Sequence, residues 1–94
     1  MMNNKYKVLL IEDDANIRSV VTTLLETEGY QVIWAGTCQL ALALFASHRP
    51  DIAILDLGLP DGDGMQFLEY VRRDSLMPVI VLSARSGDRD KVTA

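Results

Sequence analysis

Four short apolar runs alternate along the chain with three segments of helical period. The runs are Val8-Leu9-Leu10-Ile11, Val32-Ile33-Trp34, Ile52-Ala53-Ile54-Leu55 and Val79-Ile80-Val81-Leu82. The first, third and fourth are apolar at successive positions rather than at every second one. That is the signature of strands covered on both faces, as in a parallel sheet, and not of half-wet hairpins. They predict strands over 7–11, 30–35, 51–55 and 79–82, with Pro78 opening the last where a missing N–H does least harm.

The intervening segments read as helices. Ile17, Val20, Val21, Leu24 and Leu25 follow the i, i+3, i+4, i+7, i+8 rule, with Asp14 as N-cap and Gly29 as the stop. A second helix starts from Thr37, sets Leu40, Ala41, Leu44 and Phe45 on one face, and ends no later than Arg49 because Pro50 follows. A third starts from Asp63, with Gln66 completing a capping box and Met65, Phe67, Leu68 and Val71 as its apolar side. The order β-α-β-α-β-α-β, with crossovers of helical length, calls for an α/β fold: a doubly wound parallel sheet with helices on both faces.

The apolar runs end on polar groups. The first stops at Glu12-Asp13-Asp14, the third at Asp56 and the fourth at Ser83. A charged carboxylate is too costly to leave unpaired inside such a sheet, so Asp56 must emerge at the carboxyl end of its strand. Open α/β sheets bind their ligands at that edge. If the first strand lies beside the third, the exits at Asp13 and Asp56 are neighbours. Glu12, Asp13 and Asp56 would then gather three carboxylates. Like charges in one pocket raise one another's pKa unless a cation is bound. Hard oxygen donors at a mouth open to water suit Mg²⁺. A carboxylate held there is placed to act as a nucleophile toward phosphorus, and Ser83 to hydrogen-bond a phosphoryl oxygen. The plainer alternative is that these acids only cap helices and turns. Two other motifs fail on spacing. An EF-hand loop ending on Asp63-Gly64 would need an acid where Leu59 sits, and a haloacid-dehalogenase-type site a second Asp where Gly58 sits.

Composition narrows the setting. The 94 residues make one small domain, and an apolar share of 49% is enough for a core. The net charge of -4 argues against direct binding of nucleic acid. No apolar run reaches the length of a membrane span, and the N-terminus lacks the pattern of a secretory signal. Cys38 is the only cysteine, which fits a reducing, cytoplasmic setting. It is expected to be a small packing residue near the start of its helix. His48 and the Arg72-Arg73 pair are expected at helix C-termini, where positive charge is welcome. Trp34 is expected on the sheet surface, at a distance from the acids.

Three separated motifs, Leu10-Ile11-Glu12-Asp13-Asp14, Ile54 to Gly64 and Pro78 to Arg85, occur in order and together resemble the receiver domain of bacterial two-component response regulators, OmpR/PhoB class. The resemblance implies a flavodoxin-like (CheY-like) fold with strand order 2-1-3-4. It implies that Asp56 accepts a phosphoryl group from a histidine kinase, with Asp13 as a direct Mg²⁺ ligand, Glu12 one acting through water, and Gly58 giving a backbone carbonyl to the metal. Ser83 would be the switch hydroxyl. A signalling module rather than an enzyme is expected, with a small Mg²⁺-dependent aspartyl-phosphate phosphohydrolase as the alternative. A hydrolase needs a general acid/base, and the motif loop offers only Asp61.

The family's fifth strand with its lysine, the proline after it and the last helix have no counterpart here, and Lys91 follows no strand pattern. Residues 1–94 are therefore expected to be a C-terminally truncated receiver, without the DNA-binding domain of its class. The apolar fourth strand would then form an uncharged edge, which predicts a homo-oligomer, most simply a dimer.

Overall fold

In the computed structural model, residues 6–56 and 64–82 are described. Seven elements follow in chain order: β1 (Lys7–Ile11), α1 (Ala15–Thr27), β2 (Gln31–Ala35), α2 (Cys38–His48), β3 (Ile52–Asp56), α3 (Gly64–Asp74) and β4 (Val79–Leu82). The strands are all parallel, in the order β2-β1-β3-β4. This is the doubly wound arrangement expected from the alternation of elements. It places β1 against β3, with Ile11 opposite Leu55.

Local chemistry fixes the helix ends. The Asp14 carboxylate accepts from the backbone N–H groups of Asn16 (2.8 Å) and Ile17 (3.2 Å), so two N–H groups of the first turn of α1 are satisfied. At its other end Gly29 has φ 92, and Tyr30 N–H reaches back to Leu25 O while Gly29 N–H reaches Glu26 O. That is a Schellman stop, for which glycine is the least strained residue. Thr37 Oγ1 accepts from Leu40 N–H and starts α2. That helix ends at His48, and Arg49 takes the left-handed conformation before Pro50. The expected cap of α3, Asp63, lies outside the described residues.

One face of the sheet carries the core. Leu9, Ile11, Ala35, Ala53 and Leu55 meet Cys38 and Ala41 of α2, Phe67 and Val71 of α3, and Met77. Phe45 and Phe67 pack edge to face with centroids 6.3 Å apart, joining α2 to α3. Cys38, the first residue of α2, is buried here as the packing residue it was expected to be. On the opposite face Val8 and Leu10 are buried, while Ile52 and Ile54 are half-buried.

The helix stripes are narrower than their periodicity implies. Leu40 and Met65, expected on apolar faces, are exposed at 43% and 41%; Cys38 and Leu42 pack in α2 instead of Leu40. No α1 residue is fully buried, and Val20 and Leu24 stand out at 60% and 62%. A stripe has to be as wide as the neighbour that covers it, and among the described residues nothing covers these positions. β4 is the sheet's edge among the described residues. Its Ile80, Val81 and Leu82 are exposed, although their sequence reads as a fully covered strand.

Candidate metal centre

The sheet order carries the acids together. Glu12 follows Ile11 as Asp56 follows Leu55, so the two carboxylates leave adjacent parallel strands side by side. β3 begins and ends one residue later than its sequence predicts. Asp56 is the last strand residue rather than the first beyond it, held in register opposite Leu82. Glu12 is 1% exposed and Asp56 2%, while Asp13 is the most open of the three. Carboxylate oxygens of Glu12, Asp13 and Asp56 all lie within 4.8 Å of one another.

Backbone groups hold this trio. Glu12 N–H donates to Ala35 O at 2.9 Å, extending the β1–β2 ladder past Ile11. Glu12 Oε2 accepts from Asp14 N–H at 3.0 Å, which folds the turn back over the strand end. Asp14 thus caps α1 with its side chain and steadies Glu12 with its amide. It does not itself join the cluster.

Three carboxylates this close, two of them out of water, repel one another, and a bound cation offsets that cost. The donor set fits Mg²⁺: hard oxygens only, from a pair of strand ends and the turn between β1 and α1. An octahedron with arms of about 2.1 Å spans about 4.2 Å between opposite oxygens, so a 4.8 Å limit leaves room for one carboxylate to act through water. Gly58 and Ser83 lie outside the described residues. Asp56 is paired with Leu82, the residue before Ser83.

His48 and the Arg72-Arg73 pair fall where the sequence put them, at helix C-termini. Asp51 is at the opposite edge, where its carboxylate accepts from Lys7 N–H at 2.8 Å. His48 ends α2, and its carbonyl accepts from Lys7 Nζ. Arg72 and Arg73 are exposed in the last turn of α3.

One residue was given no role by its sequence context. Arg18 of α1 donates through Nη1 to Glu12 O (3.1 Å) and Asp13 O (3.3 Å), and its guanidinium lies 3.8 Å from the centre of the Trp34 ring. Trp34, expected to be remote from the acids, is one guanidinium away from their backbone. The available signal was weak: a basic residue in the first turn of α1, and a register that only the fold supplies.

A parallel sheet of order β2-β1-β3-β4, four-stranded among the described residues, with three acids at the carboxyl ends of β1 and β3, is the arrangement of a receiver. The chain belongs to the response regulator receiver domain family, whose model matches residues 8–94. It is 51% identical over 87 residues to the KDP operon transcriptional regulatory protein KdpE of Escherichia coli, and 48% identical over 87 residues to KdpE of Mycobacterium tuberculosis. Each match covers 93% of this chain but only 39% and 38% of those proteins. Likeness to KdpE agrees with the loop Leu57 to Gly64 and with Leu82-Ser83-Ala84-Arg85, the forms that most resemble that regulator within the class. Among solved structures, the chemotaxis response regulator CheY4 of Vibrio cholerae superposes with a TM-score of 0.79 at 29% identity, over 95% of this chain and 80% of that one.

Proposed function

We propose that the chain is the phospho-acceptor of a two-component regulator, and that Asp56 takes a phosphoryl group from a sensor histidine kinase. The observation that carries this reading is the convergence of Glu12, Asp13 and Asp56 at the carboxyl edge. Asp56 supplies the attacking oxygen. It forms the new O–P bond as the P–N bond of the donor imidazole breaks, and the imidazole leaves with the electron pair. Asp13 would hold Mg²⁺ directly and Glu12 through water, with an Asp56 oxygen and the Gly58 carbonyl as the further ligands. When bound, the ion offsets negative charge on the incoming group. The Ser83 hydroxyl donates to a phosphoryl oxygen and couples it to the segment after β4. That hydrogen bond is worth on the order of 1 kcal/mol, enough to shift a two-state loop several-fold.

The output is control of transcription through the part of the regulator that this chain does not span, in the cytoplasm. The relatives are named as regulators, which favours a module over the aspartyl-phosphate phosphohydrolase. We further propose that the chain associates with a second copy through β4, whose apolar residues form the sheet's edge among the described residues. Phosphotransfer from a labelled histidine kinase tests the reading. Label should reach the wild-type chain in Mg²⁺, and Asp56→Asn should abolish it. Undiminished label on Asp56→Asn would overturn the assignment.

A further inference from the structure

We infer that Arg18 and Trp34 form a positioning clamp for the acidic turn, and that Trp34 thereby reports the state of the metal centre. The inference rests on the proposed Mg²⁺ site but concerns residues outside its ligand set.

Arg18 projects from the first turns of α1 toward the end of β1, and one guanidinium nitrogen bridges two successive carbonyls, Glu12 O at 3.1 Å and Asp13 O at 3.3 Å. A cation shared between consecutive carbonyls fixes the orientation of both peptide planes. The direction in which a carboxylate leaves the backbone depends on those planes. The two residues gripped this way are the two acids that precede α1 in the cluster. Arg18 spends its charge on backbone oxygens and not, among the described residues, on a carboxylate, so it orients the acids without occupying the place of a cation.

Trp34 completes the clamp. Its ring lies 3.8 Å from the guanidinium carbon, well inside cation–π range. It stands on β2 opposite Leu10, two residues before Glu12, and is half-exposed. A flexible arginine in water would hold two carbonyls poorly. Stacked on an indole, its plane is restricted and less freedom is lost for each hydrogen bond formed. A lysine could supply the charge but not the stacked plane. Partners that orient metal ligands from outside the coordination shell typically change affinity by 10- to 100-fold. Because these contacts reach the acids only through backbone, the lower end of that range applies, roughly tenfold.

The test uses two readouts on the full chain: Mn²⁺ affinity by water-proton relaxation, and indole emission during Mg²⁺ titration. The wild type should bind Mn²⁺, and Mg²⁺ should change its emission. Arg18→Met should bind Mn²⁺ roughly tenfold more weakly and lose the emission response, and Arg18→Lys should fall between. Thr22→Ser, in the groove beside Arg18 and Trp34, should match the wild type in both. If Arg18→Met does not fold, Trp34→Leu removes the stack and leaves the arginine, and should still weaken Mn²⁺ binding several-fold. Wild-type affinity in whichever of these two variants folds, or a full emission response in Arg18→Met, would overturn the clamp while leaving the metal site standing. No Mn²⁺ binding by the wild type would overturn the metal site and the clamp with it.

Discussion

Glu12 and Asp56 leave adjacent parallel strands at matching positions, each one residue beyond the Ile11–Leu55 pair, and both are almost wholly buried. Two neighbouring strands that end on buried acids at the same level make a poor arrangement for stability and a good one for holding a cation.

In the absence of divalent ions the cluster should destabilise the chain. Asp13→Asn removes one of three like charges from the most open position while keeping a side chain of similar shape. After screening, the gain should be about 1 kcal/mol. For a domain of this size that raises the midpoint of thermal unfolding by about 4–8 °C. Mg²⁺ should raise the wild-type midpoint and have little effect on the variant. Calorimetry in EDTA and in Mg²⁺ checks both; a variant less stable than wild type in EDTA would contradict the repulsion argument.

Asp14 caps α1 and lies outside the carboxylate cluster. Asp14→Ala leaves the backbone N–H that donates to Glu12 Oε2 but deletes the acceptor of the Asn16 and Ile17 amides. It should cost about 1 kcal/mol of stability, and Mn²⁺ affinity should change far less than in an Asp13→Ala, Asp56→Ala double variant, which should not bind. Equal losses of affinity in the two proteins would put Asp14 among the ligands.

Phe67 is the largest fully buried side chain among the described residues and carries the edge-to-face contact with Phe45. Phe67→Ala should cost about 3–5 kcal/mol, a large share of the stability of a small domain. Urea unfolding should lose most or all of its native baseline. A loss below about 1 kcal/mol would mean that α3 does not close the core as described.

The edge of β4 should mediate self-association. Val81→Lys puts a charge on the exposed edge strand, the device by which natural edges avoid pairing. Light scattering on the 94-residue chain at micromolar concentration should show a dimer for wild type and a shift toward monomer for the variant. A wild-type monomer would refute the association.

The fold was legible because its strands are short apolar runs with helical spacers, and that pattern leaves few topologies. The convergence of the three acids was legible for the same reason: Glu12, Asp13 and Asp56 follow the ends of such runs, so strand order brings them together. Burial within the helices was less so. Val20, Leu24, Leu40 and Met65 satisfy a periodicity that records which residues share a face, not how much of that face a neighbour covers. Arg18 was the clearest omission. Its partners are carbonyls, which carry no residue identity, and a ring brought close only by the β1–β2 register.

Asp56 is proposed to be the phosphoryl acceptor. Intact mass spectrometry after incubation with acetyl phosphate and Mg²⁺ addresses it most directly. A single phosphoryl group should add to the wild-type chain, be lost when EDTA replaces Mg²⁺, and be absent from Asp56→Asn. A phosphoryl adduct on Asp56→Asn, or one that forms equally well in EDTA, would contradict the account.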